Sequence, residues 1–384
     1  MVQSVGVRRI VRRIVRRIVR RTEQRATPPA GPSTTRRTPY GCTPHVRPCP
    51  GYLCPMESFN LDIIVTRGGF TESHHAVHAA LARADGTLVG AARDAALVTF
   101  WRSCAKPFQV MPLVESGGFD QVGWGDDELT IGCASHGGEP EHVALVERML
   151  RGIGLEEGDL ACGPAEPLSA RGARVVREAG TRPSRLHNNC SGKHAAMLAA
   201  ARMHGAPTEG YERPDHPVQV ACAQAVSIWT GVPVQELVMA VDGCGVPVFG
   251  LPLAQMALAY ARLADAVRLG HEVPNRIMAA IQAHPLLLGG TDRFDTVLLE
   301  ESAGRIFAKV GAEGVHTVAI LDMGLGLAIK VEDGALRAQH AAVLRALQQL
   351  GALPATLPPR LADFLVRPVR NTRGEVVGEV GPLP

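Results

Sequence analysis

Short apolar runs and amphipathic stretches alternate along the chain from about residue 60 onward. Segments 63–66, 77–82 and 88–92 have the composition of strands, and Ala84-Asp85-Gly86 between the last two is a hairpin turn. Helical spacing predicts helices over 106–115 and 141–150, the second with Val143, Val146 and Leu150 on one face. An apolar run at 129–134 reads as a strand before a further helix. The Ala-rich segment 191–204 is apolar on most sides and predicts a buried helix, and 217–229 and 254–267 predict two more. His216-Pro217 and His284-Pro285 have the form of element starts. Segment 237–241 is a strand ending in Asp242-Gly243-Cys244-Gly245. Segments 317–322 and 327–331 predict a hairpin across Gly324 and Gly326, and a helix over 337–350 follows. Strands at both ends of a helical middle predict an α+β fold, an α/β sandwich with a mixed or antiparallel sheet flanked by helices.

Upstream of residue 56 the pattern changes. Residues 7–21 read VRRIVRRIVRRIVRR, which as a helix gathers Val and Ile on a slowly drifting stripe with Arg opposite. Such a stripe suits an anionic membrane or RNA, but it lacks the apolar core of a secretory signal. Residues 26–55 are rich in Pro, Thr and Arg, a disordered composition. The expected organisation is a disordered basic tail over 1–55, read as an upstream extension translated from repetitive DNA, and one folded body over 56–384 beginning at Met56.

The charge balance supports that division. The chain carries +3, yet residues 1–55 hold 12 Arg against one acid, Glu23, which leaves the body at −8. An acidic body argues against nucleic acid as its partner. No stretch of 18 uncharged apolar residues occurs, which excludes a transmembrane helix and gives no membrane partner. The nine Cys are an odd number without framework spacing, in a chain long enough to have a core, and predict a reducing, cytoplasmic compartment.

Of 40 basic residues only four are Lys: Lys106, Lys193, Lys309 and Lys330. Arg keeps its proton in a protein, whereas a buried Lys can lose it and act as a base or a ligand. A Lys that persists in an Arg-rich chain is therefore a candidate for chemistry. Lys106 completes Ser103-Cys104-Ala105-Lys106, a Ser-x-x-Lys pattern at a helix start, where residues i and i+3 share a face. A desolvated Lys there can activate a nucleophilic Ser; the ordinary alternative is a capping Ser and a surface Lys. Ser135, after the apolar run at 129–134, either faces a pocket or caps the next helix with Glu139 reaching back. Lys309 lies on an apolar strand before Gly311, where an edge-strand role against aggregation is the alternative. This order of pieces shares its layout with the penicillin-recognising serine hydrolases, although the usual Asn of the middle piece and Thr or Ser of the third are missing. Cys190 and Lys193 stand at i, i+3 at another helix start, and Cys244 follows a strand. Two thiolates and an amine or imidazole can bind Zn²⁺, but this spacing is no standard zinc motif and buried structural Cys is the ordinary reading.

Seven segments occurring in order resemble the L-asparaginase II family, whose fold is serine-β-lactamase-like. They are Arg67-Gly68-Gly69 with Glu72-Ser73-His74, Arg102-Ser103-Cys104-Ala105-Lys106-Pro107, Cys133-Ala134-Ser135-His136, Asn189-Cys190-Ser191-Gly192-Lys193-His194, Pro214-Asp215-His216-Pro217, Asp242-Gly243-Cys244 and Lys309-Val310-Gly311-Ala312-Glu313. The resemblance implies hydrolysis of L-asparagine to L-aspartate and ammonia by a homodimer. It pairs Ser103, the nucleophile, with its base Lys106, and Ser135 with Lys309 in support of proton transfer. It also implies one zinc ion per chain, held by Cys190, Lys193 and Cys244. Asp242 and Arg102 are then candidates to balance the substrate's α-ammonium and α-carboxylate, with His136, Glu139 and His194 nearby. Two rival readings are another serine-β-lactamase-like amidohydrolase and a zinc-stabilised binding domain whose basic tail meets membrane or nucleic acid.

Overall fold

The computed structural model describes residues 56–384, so the predicted basic tail and its three cysteines lie outside the described residues. The central sheet has six strands in the spatial order Glu57–Ser58, Leu88–Ala92, Val77–Arg83, Leu325–Val331, Val315–Ile320 and Ile306–Val310. Every pairing in it is antiparallel except that of Glu57–Ser58. Side chains alternate across a strand, and here both faces are covered. Ala80, Ala82, Phe307 and Ala319 face the helical middle. Leu81, Ala308, Val318 and Leu327 face the opposite way, toward the helix Leu336–Gln349. With both faces buried these strands are apolar nearly throughout, which is why the sequence shows them as unbroken runs. Two smaller antiparallel sheets complete the fold, one of four strands joining both ends of the described chain and one of three. The architecture is α+β, as predicted.

Apart from the run at 129–134, the predicted strands and helices are present, with ends shifted by up to a few residues. The hairpin of Val315–Ile320 and Leu325–Val331 turns at Gly324, with φ +64°. Gly326 has another cause: a Cβ there would stand 2.0 Å from the Ala257 carbonyl oxygen, because the helix Leu253–Arg268 lies directly on this strand. His216 accepts from the Val218 N–H and so caps the helix Pro217–Thr230.

One element differs from expectation. The run at 129–134, read as a strand, belongs to the helix Asp126–Cys133. Three acids occupy its first turn, and the Glu128 carboxylate accepts the Gly125 N–H at 2.8 Å. The helix is buried on all sides from Glu128 to Cys133, so its apolar residues show no helical stripe and mimic a strand. Ser135 therefore follows a helix, on the extended segment before the helix Pro140–Gly152. It does not cap that helix; Glu139 holds the cap position, its N–H donating to His142 Nδ1 at 3.1 Å.

Candidate active site

Lys309 shares a strand with Phe307 and by alternation points into the helical layer, where it is fully buried. Lys106 opens the helix Lys106–Glu115 and is also fully buried. The two amines meet at one hydroxyl: Lys309 Nζ lies 2.8 Å and Lys106 Nζ 3.0 Å from Ser135 Oγ. Lys106 further lies 2.5 Å from the Ala134 carbonyl and 3.1 Å from that of Asn189, so a neutral amine donates its two N–H groups to these carbonyls and turns its lone pair to Ser135 Oγ. The expected contact between Lys106 and Ser103 is not made, since Ser135 and these carbonyls take the amine instead. Ser103 is half-buried on the short turn Arg102–Ala105, which begins with Arg102 at φ +52°, a left-handed conformation costly for a side-chain-bearing residue.

Burial favours neutral amines here. It lowers the Lys309 pKa to about 8, with repulsion from Lys106 adding to the effect and Asp295 opposing it. Lys106 is lowered first by burial, against the nearby thiols Cys190 and Cys244. Each amine is thus a better base at neutral pH than a solvated Lys.

A second cluster adjoins the first. Cys190 precedes the helix Ser191–Met203, and the donor atoms of Cys190, Asp242 and Cys244 all lie within 4.8 Å of one another. Lys193 Nζ donates to Cys244 Sγ at 3.0 Å, and Cys244 donates to Asp242 at 3.3 Å. Contact with Cys244 holds the Cys190 thiol well below its ordinary pKa against the cost of burial, with Lys106 and Lys193 adding to the effect. Burial lowers the Lys193 pKa, but Cys244, Cys190 and Asp242 outweigh it and raise the group. A buried set of two sulfurs, a carboxylate oxygen and an amine fits a borderline-soft divalent ion, provided the amine gives up its proton on binding. Asp242 was expected at substrate and not in this donor set. Its other oxygen accepts from Arg102 Nε at 2.6 Å, so these two residues neutralise each other.

The remaining predicted residues have structural partners. His136 Nδ1 accepts the Gly138 N–H at 3.2 Å. Its Nε2 therefore donates to Ser191 Oγ at 2.9 Å, which passes a hydrogen bond to the Leu186 carbonyl. Burial keeps this ring neutral, its pKa well below the usual value. Glu139 accepts from Arg171 at 2.8 Å, from the Thr291 N–H at 2.8 Å and from Thr291 Oγ1 at 3.0 Å. His194 Nδ1 is 2.6 Å from the Tyr211 hydroxyl, while its buried Nε2 has no partner.

A cavity of 80 Å³ reaches Ser135, with Asp292, Arg293, Asp295 and Val310 in its wall. Sequence reasoning missed the first three of these. The available signal was Gly289-Gly290-Thr291-Asp292-Arg293-Phe294-Asp295, a glycine pair followed by three charges at the start of an apolar helix. Asp295 is buried and accepts from the Val310 N–H at 2.8 Å and from His316 Nε2 at 2.9 Å. Burial alone would raise its pKa, but His316 and these bonds bring it to about 2. It is thus a fixed negative charge beside Lys309.

The family model of L-asparaginase II matches residues 63–382. The chain belongs to the L-asparaginase II family. No curated protein matches the sequence. Among solved structures, the native form of Mglu is similar at 15% identity, with a TM-score of 0.38 over 83% of this chain and 74% of that one. A β-lactamase from Mycobacterium bovis is similar at 13% identity, with a TM-score of 0.38 over 72% of this chain and 96% of that one. No helix among the described residues is long and apolar enough to cross a membrane.

Proposed function

We propose that the protein is an L-asparaginase that hydrolyses the side-chain amide of L-asparagine through a serine ester. The observation that carries this reading is one buried hydroxyl, Ser135, held between two buried amines of lowered basicity. A neutral Lys amine takes the serine proton as Oγ bonds to the amide carbon. Backbone N–H groups stabilise the oxyanion. The C–N bond breaks, the departing nitrogen takes a proton from a Lys, and ammonia leaves. Water then cleaves the β-aspartyl ester and restores the hydroxyl.

The family resemblance assigns attack to Ser103, with Lys106 as base and Ser135 and Lys309 relaying the proton. A second reading makes Ser135 the nucleophile, favoured by the contact of Lys106 with Ser135 and not with Ser103. Acid-quenching the enzyme during turnover and mapping the β-aspartyl peptide by mass spectrometry separates the two. Ammonia release from L-asparagine is expected to fall about 10³-fold or more in Ser103→Ala, Ser135→Ala and Lys106→Ala. Full activity in Lys106→Ala would sink both readings.

Cys190, Cys244 and Lys193 would hold one zinc ion, with Asp242 as the nearest further donor. Bound there, zinc would supply positive charge that shapes the pocket or orients substrate. A zinc content of one per chain that persists in Cys190→Ala would exclude this site. A homodimeric, cytoplasmic enzyme is part of the same proposal, and sedimentation tests the dimer.

A further inference from the structure

The loop between the helices Pro285–Leu288 and Phe294–Glu301 has an unusual conformation. Gly290 has φ +120°, and Asp292, which carries a side chain, has φ +56°. Glu139 clamps the loop through both polar groups of Thr291, so closely that a Cβ on Gly290 would stand 2.8 Å from its Oε1. Strain of this kind persists where the surroundings impose it, and it clusters at sites that hold ligands.

What the loop presents is two opposite charges without protein partners of their own. Arg293 is half-buried, yet its one hydrogen bond runs to the Leu168 carbonyl at 3.2 Å, and no carboxylate lies within ion-pair distance among the described residues. An Arg withdrawn from water ordinarily has an acidic partner. The Asp292 carboxylate makes no hydrogen bond and no ion pair among the described residues. Both residues line the cavity that reaches Ser135. Arg102 and Asp242, the expected counter-charges, are already bound to each other.

We propose that Asp292 and Arg293 are the specificity clamp of this site. Arg293 holds the α-carboxylate and Asp292 the α-ammonium of an amino acid whose side-chain amide reaches toward Ser135. The planar guanidinium fork matches a carboxylate in two parallel hydrogen bonds. Together the pair selects a zwitterion over simple amides. The proposal rests on the amidohydrolase reading above.

The test crosses two variants with three amides: L-asparagine, succinamate, which lacks the α-ammonium, and 3-aminopropanamide, which lacks the α-carboxylate. Arg293→Gln is expected to raise KM for L-asparagine about 10- to 100-fold with kcat little changed. Its kcat/KM falls as much on succinamate and stays at the wild-type level on 3-aminopropanamide. Asp292→Asn shows the reverse preference. Arg293→Lys, which keeps the charge and loses the fork, recovers part of the loss. An unchanged KM, or an equal loss on all three amides, overturns the clamp while the asparaginase reading stands. A wild-type enzyme that releases no ammonia from L-asparagine overturns that reading, and the clamp with it.

Discussion

Lysine is rare enough in this chain that each one can be accounted for. Lys106 and Lys309 share Ser135, and Lys193 serves the thiol cluster. Lys330, for which the sequence offers no partner motif, donates to the carbonyls of Glu313 at 2.7 Å, Val331 at 2.5 Å and Glu332 at 3.3 Å. It thereby ties down a turn in which Glu313 takes φ +59°. The lowered basicity of Lys309 has a kinetic consequence. If its neutral amine moves the proton, kcat/KM rises with pH through about 8, and this limb is absent from the pH–rate profile of Lys309→Met. Glu139 works at a distance from the amide. Glu139→Gln keeps the size but loses the charged anchor of the 289–293 loop, and is expected to raise KM roughly tenfold with a smaller change in kcat.

At the scale of elements, burial on both faces is the recurrent theme. Local composition was enough to expose the central strands and the amphipathic helix Pro140–Gly152, because each has the run length or stripe its environment demands. The helix Asp126–Cys133 mimics a strand because burial on all sides from Glu128 to Cys133 removes the stripe. The seat of the helix Leu253–Arg268 on the sheet depends on Gly326. Gly326→Ala would force a Cβ into the Ala257 carbonyl, and is expected to cost at least about 2 kcal/mol in denaturant unfolding. Wild-type stability in that variant would mean that the helix does not lie on the strand.

Across the whole molecule, the two buried lysines at Ser135, Lys106 and Lys309, hold protons less tightly than the unfolded chain does. An unfolded Lys titrates near 10.5 and folded Lys309 at about 8, so between these values the unfolded state binds the extra proton. Stability contributed by this group is therefore absent below about pH 8 and grows as pH rises toward 10.5. Unfolding free energy measured across that window should rise less steeply in Lys309→Met than in wild type. The thiol cluster gives a second global reading. If it holds zinc, chelation lowers Tm, zinc restores it, and Cys190→Ala is insensitive to both.

The sequence by itself determined the fold class, most element positions and the family, and it named Ser135, Lys106, Lys309, Cys190, Lys193 and Cys244 as candidates for chemistry. Those features are local: run length, a glycine turn, or a rare amine beside a Ser or a Cys. Partnership was decided only by tertiary structure. Lys106 and Lys309 are about 200 positions apart and meet at a serine on a third segment, because strand alternation turns one inward and a helix start presents the other. Arg102 met Asp242, Glu139 met Thr291, and Arg293 was left without an acid, since a charged residue's partner depends on which segments pack together and not on its neighbours in the chain.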